Sequence, residues 1–494
     1  MNFCSKKTMY TKLLLTAGIC LALTFSTAAQ NPKSLQIQNV ENNLDPQLLK
    51  NGSNKVNGQP ILKRMQARKV NGLSIAVIDK GELAWAKGYG VNDASAPTQL
   101  VDTTTLFQCA SIGKVITAIA ALQLVQDQKI GLDDDVNQKL VSWKIPENNF
   151  TAQKKVTLRM LLSHTAGLMD GYGFEGYYPN TTLPSLVQIL NAQSPANNRK
   201  KVVVAAIPGS SERYSGAGYL IIQQLIEDLS GSSFANYTEK MIFKPLGMLH
   251  TTYANYPDST LNFTIARGHE DNGKIDLKRK HNVYPEQGAA GPWTTPSDLA
   301  KLVIEIQKIN QGKNTNLLST ALVQLMLKPQ FNAMGLGFHL KGADQVLGFW
   351  HSGNTAGYTG VLFGLTKTGQ GAIVLTNSNA GEWLAIEMIR SIAETYNWPI
   401  MKHITPLNNI EQEKYVGNYL SNGRNGLSIG LEKEQLYFKQ AGASKKYNLY
   451  PITSNSFAMV EKPDNISFVF EEQQGKMLLT VYENGGNATS LTKQ

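Results

Sequence analysis

The chain has 494 residues, a formal net charge of +10, 42% hydrophobic and 17% charged residues, which is typical of a globular protein with a large core. This length is sufficient for two to four domains. The basic residues are scattered rather than grouped in runs with aromatic residues, which argues against nucleic-acid binding but is compatible with weak attraction to anionic cell-wall polymers.

The first 29 residues have the layout of a secretory signal peptide. Lys6, Lys7 and Lys12 precede an apolar stretch, and the small residues 27–29 follow it, with cleavage predicted after Ala29. A single membrane anchor is the alternative, although the apolar stretch is short for a membrane span. The expected location is therefore secreted or periplasmic.

Cysteine usage excludes a disulfide framework in the mature chain. Cleavage would remove Cys4 and Cys20 and leave Cys109, and one cysteine cannot form an intrachain disulfide. Cys109 lies two residues before Ser111, and we interpret it as a small buried packing residue rather than a nucleophile. Neither a His-Glu-x-x-His pattern nor paired cysteines indicate a metal, and no cofactor is expected.

The N-terminal half alternates strands and helices. Residues 30–69 are predicted to be a polar lead-in with one amphipathic helix, and two β-rich runs around residues 80–81 predict a hairpin. A helix should follow Ser111 and run to about Gln128. The aromatic, glycine-rich residues 171–179 form a loop that either lines a pocket or packs on the surface.

The C-terminal half predicts helices near residues 215–231 and 295–309, strands from Phe349, and a further helix near residues 382–396. Strands at both ends of a largely helical region predict one mixed sheet flanked by helices, in an α/β (α+β) architecture. This main domain is expected to span residues 70–402. Residues 410–494 contain short alternating runs instead, which predict a small antiparallel β-barrel or sandwich.

The stretch CASIGK places Lys114 three residues after Ser111, where both can share a helix face. Lys114 is the only ionisable residue between Ile112 and Gln126, and a buried ammonium is costly unless it is paired or neutral. Either the lysine reaches solvent, or the fold holds an amine that can take the serine proton and generate a nucleophile. A second Ser-x-x-Lys at residues 490–493 has no such setting.

Two further polar positions accompany this pair. Tyr214 precedes a predicted helix and is either a core tyrosine or, beside an ammonium, a base. His351 lies in a predicted strand and is either a surface imidazole or a cleft residue, and Gly353 would let a substrate backbone approach closely. The order Ser-x-x-Lys, Tyr, His-x-Gly favours the catalytic interpretation of all three.

With these residues, the chain resembles the serine β-lactamase and penicillin-binding-protein superfamily, in the class C-like branch with DD-carboxypeptidases, D-aminopeptidases and esterases. The resemblance covers roughly residues 72–396. It rests on ordered motifs: SIGK (111–114), LLSHTAGL (161–168), PGSSERYSGAGYLI (208–221), PLGML (245–249), GAAGPWTTPSDLAKL (288–302), GLGF (335–338) and HSGNTAGYTG (351–360).

The resemblance implies acyl-enzyme chemistry. Ser111 would attack a carbonyl, while Lys114 and Tyr214 share the proton transfers. The backbone amides of Ser111 and Asn354 would form the oxyanion hole, where one donor typically contributes about 3 kcal/mol. His351 replaces the lysine of the Lys-Thr-Gly motif, and it would face substrate and hold a carboxylate, more strongly when protonated.

One departure from the family concerns Gly216, which stands where the tyrosine motif usually has an asparagine that steadies the lysine and binds the acylamide carbonyl of the substrate. Its absence counts against efficient β-lactam or peptide turnover and less against esters. The Tyr-x-Asn at residues 253–255 lies outside this context and is rejected as catalytic. His164 is interpreted as a structural residue that shapes the turn after its helix.

The sequence therefore predicts an exported serine hydrolase that forms an acyl-enzyme on Ser111. The expected substrate is an ester or amide, such as a D-amino-acid peptide, a cell-wall fragment or a small acyl ester. A β-lactamase is one alternative, and a non-catalytic envelope-binding module with a retained pocket is another. The sequence leaves the oligomeric state open.

Overall fold

The computed structural model describes residues 32–44, 58–169, 175–275, 281–313, 315–342, 347–399, 407–421, 424–459, 466–483 and 487–494. The predicted signal peptide and residues 171–174 of the aromatic loop lie outside the described residues. Within the described segments, no helix combines the length and apolar character that a membrane span needs.

The main sheet is flanked by α-helices. The α-helices are α1 (Pro32–Asn42), α2 (Ile61–Arg68), α3 (Gly113–Gln126), α4 (Asn149–Gln153), α5 (Leu158–Leu162), α6 (Leu186–Asn191), α7 (Gly216–Ser230), α8 (Phe234–Thr238), α9 (Lys244–Leu246), α10 (Pro257–Thr260), α11 (Gln287–Ala290), α12 (Pro296–Asn310), α13 (Thr320–Met326), α14 (Glu382–Thr395) and α15 (Asn409–Glu413). Short 3₁₀ turns and one π-helical turn also occur: Ala110–Ile112, Val136–Gln138, Asn379–Gly381 and the π-turn Glu239–Phe243.

Strands form one six-stranded sheet, a two-stranded ribbon and a closed barrel. The strands of the sheet and the ribbon are β1 (Gly72–Asp79), β2 (Glu82–Gly90), β3 (Phe107–Gln108), β4 (Trp293–Thr294), β5 (His339–Lys341), β6 (Gly348–Thr355), β7 (Tyr358–Leu365) and β8 (Gly371–Thr376). The sheet has the order β2-β1-β8-β7-β6-β5, and β3 pairs with β4 in the ribbon.

The expected α/β (α+β) class is confirmed, but the expected mixed sheet is wrong in its strand directions. Every pairing in the six-stranded sheet is antiparallel. Short connections join β1 to β2, β6 to β7 and β7 to β8, and tight turns of this kind allow only antiparallel neighbours. The turn between β1 and β2 is formed by Lys80 and Gly81, both with positive φ (53° and 76°), which fits the predicted hairpin.

The helix α3 is the centre of the larger apolar core. Its residues from Gly113 to Leu124 are all buried, since the helix is apolar on every side. It packs against α7 and α11, and the latter brings the chain around Ala289 close to the start of α3. The 3₁₀ turn Ala110–Ile112, which leads into α3, packs against β6 and β7 of the sheet.

The N-terminal lead-in contains two helices rather than one, and both belong to the packed structure. Val40, Ile61 and Met65 are buried in an apolar cluster with residues of β1 and α14. Arg64 forms a two-bonded ion pair with the buried Glu387 of α14, at 2.7 and 2.8 Å. The described residues before position 70, 32–44 and 58–69, therefore pack beside the sheet with α14.

The C-terminal segment forms a closed eight-stranded barrel with its own core of aromatic and aliphatic residues. The predicted small antiparallel domain is present, and it is a barrel rather than a sandwich. Its strands are β9 (Gly417–Ser421), β10 (Arg424–Glu432), β11 (Gln435–Gln440), β12 (Tyr447–Pro451), β13 (Ser456–Met459), β14 (Ile466–Gln473), β15 (Lys476–Glu483) and β16 (Asn487–Lys493).

Candidate active site

Ser111 lies in the 3₁₀ turn that leads into α3 and is partly exposed. The preceding Ala110 has a φ of +50°, in the left-handed region that non-glycine residues rarely adopt. Backbone strain of this kind persists only where the surrounding structure enforces it, and it is common at functional sites. A Cβ on Gly113 would lie 2.7 Å from Cδ of Pro292, so glycine lets the helix start pack against this proline.

Lys114 is buried, with 2% of its surface exposed, and its amine is held at the serine. Its Nζ lies 3.0 Å from Oγ of Ser111 and donates to the carbonyl oxygen of Ala289 at 2.7 Å. No carboxylate lies within ion-pair distance of this amine among the described residues. The structure therefore selects the second of the two sequence-based alternatives, an amine kept beside the hydroxyl rather than one that reaches solvent.

Tyr214 is the third residue of the expected catalytic set, and its ring lies close to the amine of Lys114. The centre of its partly exposed ring is 5.0 Å from Nζ of Lys114. Tyr214 directly precedes Ser215, the N-cap of α7, whose hydroxyl accepts the amide of Gly218 at 3.0 Å. The cap fixes where the chain enters the helix and thereby the position of Tyr214, which directly precedes the cap.

The ring of His164 stacks on Tyr214 on the side of α5, with a centroid distance of 4.4 Å and an interplanar angle of 30°. Its Nδ1 accepts the backbone amide of Ser215 at 3.1 Å. Burial, together with the nearby Lys114 and His351, holds the pKa of His164 well below its usual range. His164 is therefore neutral near pH 7, with its proton on Nε2.

His351 lies on β6 as predicted, but it is only 3% exposed. Burial, followed by the neighbouring His339 and Lys114, holds the pKa of His351 well below its usual range. Its Nδ1 lies 2.6 Å from the carbonyl oxygen of Ser352, which assigns the proton to that nitrogen. Near pH 7 His351 is neutral, so the expected charge-based hold on a carboxylate is not available at that pH.

The end of β6 lies open beside the nucleophile. The neighbouring strand β5 pairs with β6 only as far as Trp350, so that among the described residues no strand pairs with the stretch from His351 onward on that side. A Cβ on Gly353 would lie 2.2 Å from the carbonyl oxygen of Cys109. The glycine is thus required for the approach of β6 to the Ser111 turn, whereas the sequence suggested an approach by substrate.

The other residues that the sequence analysis rejected as catalytic are packing or strand residues. Cys109 is buried, and burial raises the pKa of its thiol to about 12, which fits a packing residue. Tyr253 packs in the core against Phe234 and Phe243, with ring centroids 5.2 and 5.9 Å apart. Ser490 and Lys493 lie on strand β16, where residues three apart point to opposite faces.

Sequence reasoning missed three contributors to the site. Ala289 acts through its backbone carbonyl, which no side-chain pattern reveals, although it lies within the GAAGPW motif. Tyr219 donates to the carbonyl of Leu162 at 3.0 Å and faces Lys114 at 5.6 Å. His339 stacks on Trp350 at 4.6 Å, and burial lowers its pKa to about 4. The position of His339 directly after the GLGF motif could have indicated that it lies near the site.

A family model described as Beta-lactamase matches residues 60–397. The chain belongs to this family. The match covers most of the helices and the whole six-stranded sheet, and it includes the site around Ser111.

Individual relatives are more distant. Protein flp from Staphylococcus aureus (strain N315) is 24% identical over 355 residues, which cover 69% of this chain and 65% of that protein. Teichoic acid D-alanine hydrolase from Staphylococcus aureus is 26% identical over 284 residues, 57% of this chain and 63% of that protein. The chain thus spans somewhat less than two thirds of the curated relatives it matches.

Solved structures confirm the fold. A penicillin-binding protein homologue from Pyrococcus abyssi, described as octameric, superposes with a TM-score of 0.55 at 21% identity and covers 88% of this chain and 98% of its own. The D-amino acid amidase from Ochrobactrum anthropi SV3 has a TM-score of 0.55 at 22% identity, with 74% and 99% covered. Together with the family match, these two structures support a β-lactamase-like fold for this chain.

Proposed function

We propose that this chain is an exported serine hydrolase that forms an acyl-enzyme on Ser111. The observation that carries the proposal is the buried Lys114, whose Nζ lies 3.0 Å from Oγ of Ser111 while the Ala289 carbonyl holds it in place. At this distance the lysine can accept the serine proton as the hydroxyl oxygen attacks a carbonyl carbon.

The reaction would proceed in two halves. In the first, Ser111 Oγ bonds to the carbonyl carbon, its proton passes to the Lys114–Tyr214 pair, and the leaving alcohol or amine departs with a proton from that pair. In the second, a water oxygen bonds to the acyl carbon while its proton passes to the same pair. The bond between that carbon and Ser111 Oγ then breaks, the pair returns a proton to Oγ, and the carboxylic acid leaves. The backbone amides of Ser111 and Asn354 are the proposed donors to the oxyanion.

For the substrate class, we propose a D-aminoacyl ester, with the corresponding amide as a slower substrate. Gly216 supplies no side-chain amide for an acylamide carbonyl, and a free D-aminoacyl group has no such carbonyl. The named relatives act on a teichoic acid D-alanine ester and on D-amino acid amides, which supports this class. Export through residues 1–29 would bring the enzyme to envelope polymers that carry such esters.

The test begins with a fluorophosphonate probe and the intact mass of the mature protein. We expect one adduct on the wild type, none on Ser111→Ala, and an unchanged adduct on Ser490→Ala, which removes the serine of the second Ser-x-x-Lys. A folded wild type that takes up no probe would contradict the proposal and favour a binding module.

Substrate choice is then measured with matched D- and L-alanyl esters, D-alanine amide and a chromogenic cephalosporin. We expect the D-alanyl ester to have the highest kcat/KM. Faster turnover of the cephalosporin would replace the proposed substrate class with that of a β-lactamase.

A further inference from the structure

His164 contacts the Tyr214 ring and the residues on either side of it in the chain. The amide of Arg213 donates to the His164 carbonyl oxygen at 2.8 Å, and the amide of Ser215 donates to Nδ1 of the same residue at 3.1 Å. The imidazole then stacks on the phenol between them, at 4.4 Å. A single residue thus holds the backbone at Arg213 and at Ser215, on either side of Tyr214, and contacts the tyrosine ring.

The backbone of His164 is itself constrained. Its φ is +58°, and it closes the turn after α5, where its amide donates to the carbonyl of Leu161 at 3.4 Å. The side chain is 3% exposed. A strained and buried residue of this kind has little freedom to move, so contacts that it makes are fixed in position.

The protonation state of the imidazole suits this contact. The amide of Ser215 needs an acceptor, which only the neutral ring with its proton on Nε2 provides at Nδ1. A protonated ring would donate from both nitrogens and break the contact. Burial and the nearby Lys114 both oppose that protonation.

We propose that His164 is a positioning residue that fixes Tyr214 against Lys114 and Ser111 through the Nδ1 contact to the Ser215 amide. The proposal rests on the proposed function in one respect, since it assigns Tyr214 a part in proton transfer. It gives His164 a role beyond the shaping of its turn. The distinction is testable because a residue that only shapes the turn would affect stability without acting through Tyr214.

The first experiment compares the rate of fluorophosphonate labelling in His164→Phe and wild type. Phenylalanine keeps a stacked ring and loses the acceptor. We expect the limiting rate of labelling to fall by about 10- to 100-fold, the loss typical of a misplaced reacting group, with little change in probe affinity. A folded His164→Phe variant with the wild-type rate would overturn the proposal.

Two further variants separate positioning from folding. His164→Asn restores an acceptor close to the position of Nδ1 and tolerates the positive φ, so it should recover most of the lost rate. His269→Phe is the matched control, because His269 is also fully buried and its Nε2 accepts the amide of Ala94 at 3.1 Å. It should lower the melting temperature without slowing labelling.

A double-mutant cycle with Tyr214→Phe identifies the route of the effect. If His164 acts through Tyr214, then His164→Phe should cause no further loss of rate in the Tyr214→Phe background. The same fold loss in both backgrounds would show that His164 acts independently of the tyrosine and would contradict the proposal.

A readout that needs no reaction keeps this inference separate from the proposed function. With 3-fluorotyrosine incorporated, the ¹⁹F resonance of Tyr214 is the one that Tyr214→Phe removes. We expect this resonance to shift and broaden in His164→Phe and to stay unchanged in His269→Phe. An unshifted resonance would refute positioning by His164, whereas a shifted resonance in a protein that the probe does not label would refute only the proposed hydrolase.

Discussion

At the scale of single residues, the site depends on backbone atoms as much as on side chains. The family asparagine is missing at Gly216, and the buried Lys114 instead donates to the carbonyl of Ala289. A carbonyl fixes the amine as well as an amide side chain does, but it offers nothing to the substrate. The family asparagine both steadies the lysine and binds the acylamide carbonyl of the substrate. In this chain the Ala289 carbonyl holds the lysine, and Gly216 has no side chain to bind the substrate.

Glu286 is the most unusual titratable residue outside the catalytic set. It is fully buried at the start of α11, and both carboxyl oxygens have no hydrogen-bond partner among the described residues. Burial raises the pKa of Glu286 to about 8. Its own carbonyl accepts the amide of Ala289, so this residue helps to place the carbonyl that holds Lys114.

We therefore predict a pH-dependent stability that Glu286→Gln removes. Since the pKa is higher in the folded state, the native protein binds more protons than the unfolded chain between about pH 4.5 and 8. The free energy of unfolding should then fall across this range as pH rises. Urea unfolding at pH 5, 6.5 and 8 should show a shallower decline in Glu286→Gln and a gain of stability at pH 8.

The matched control is Glu82→Gln, at an exposed position of β2. It should leave the pH dependence as in the wild type. Equal slopes in Glu286→Gln and wild type would show that the Glu286 carboxyl is ionised in the folded protein throughout this range.

At the scale of elements, the N-terminal helix α2 was the least expected part of the packed domain. The polar composition of residues 30–69 suggested a lead-in. The arginines Arg64 and Arg68 of α2 instead pair with the main domain. Both donate to Glu387 of α14, at 2.7 to 2.8 Å. The two charges of the Arg64–Glu387 pair are buried together, with side chains 9% and 1% exposed.

Breaking this pair from one side should be costly. Glu387→Ala removes the carboxylate that the buried Arg64 guanidinium contacts, and we expect the free energy of unfolding to fall by about 3–5 kcal/mol. The measurement is equilibrium unfolding in urea. Glu147→Ala, which breaks the exposed pair with Lys155, is the comparison and should leave the unfolding midpoint nearly unchanged. Equal effects of the two substitutions would contradict a stabilising role for the buried pair.

At the scale of the whole molecule, the chain has separate cores. The described residues of the barrel form an apolar cluster of their own, and none of them belongs to the two clusters of the sheet domain. The family model also ends at residue 397, before the barrel begins. Two regions with independent cores are expected to fold independently.

We predict that a chain of residues 30–401 is soluble, unfolds cooperatively and is labelled by the fluorophosphonate probe at the wild-type rate. Circular dichroism melting and labelling kinetics measure both properties. Insoluble protein would show that the barrel is integral to folding. A soluble truncated protein with slower labelling would show instead that the barrel assists the site.

The sequence by itself determined the local structure. The hairpin at Lys80–Gly81, the helix after Ser111 and the strand that carries His351 follow from turn chemistry and periodicity, which are properties of neighbouring residues. The spacing of Ser111 and Lys114 likewise predicted their contact, since residues three apart meet on one helical turn. These features need no information from distant parts of the chain.

Only the tertiary structure decided what surrounds those residues. The directions of the sheet strands, the carbonyl of Ala289 at Lys114, the neutral state of His351 and the contact of Gly353 with Cys109 all join segments far apart in sequence. Burial and pKa depend on how these segments pack, and a backbone carbonyl leaves no pattern in the sequence. The same holds for His164, whose contacts with Ser215 and the Tyr214 ring join two motifs that are separate in the sequence.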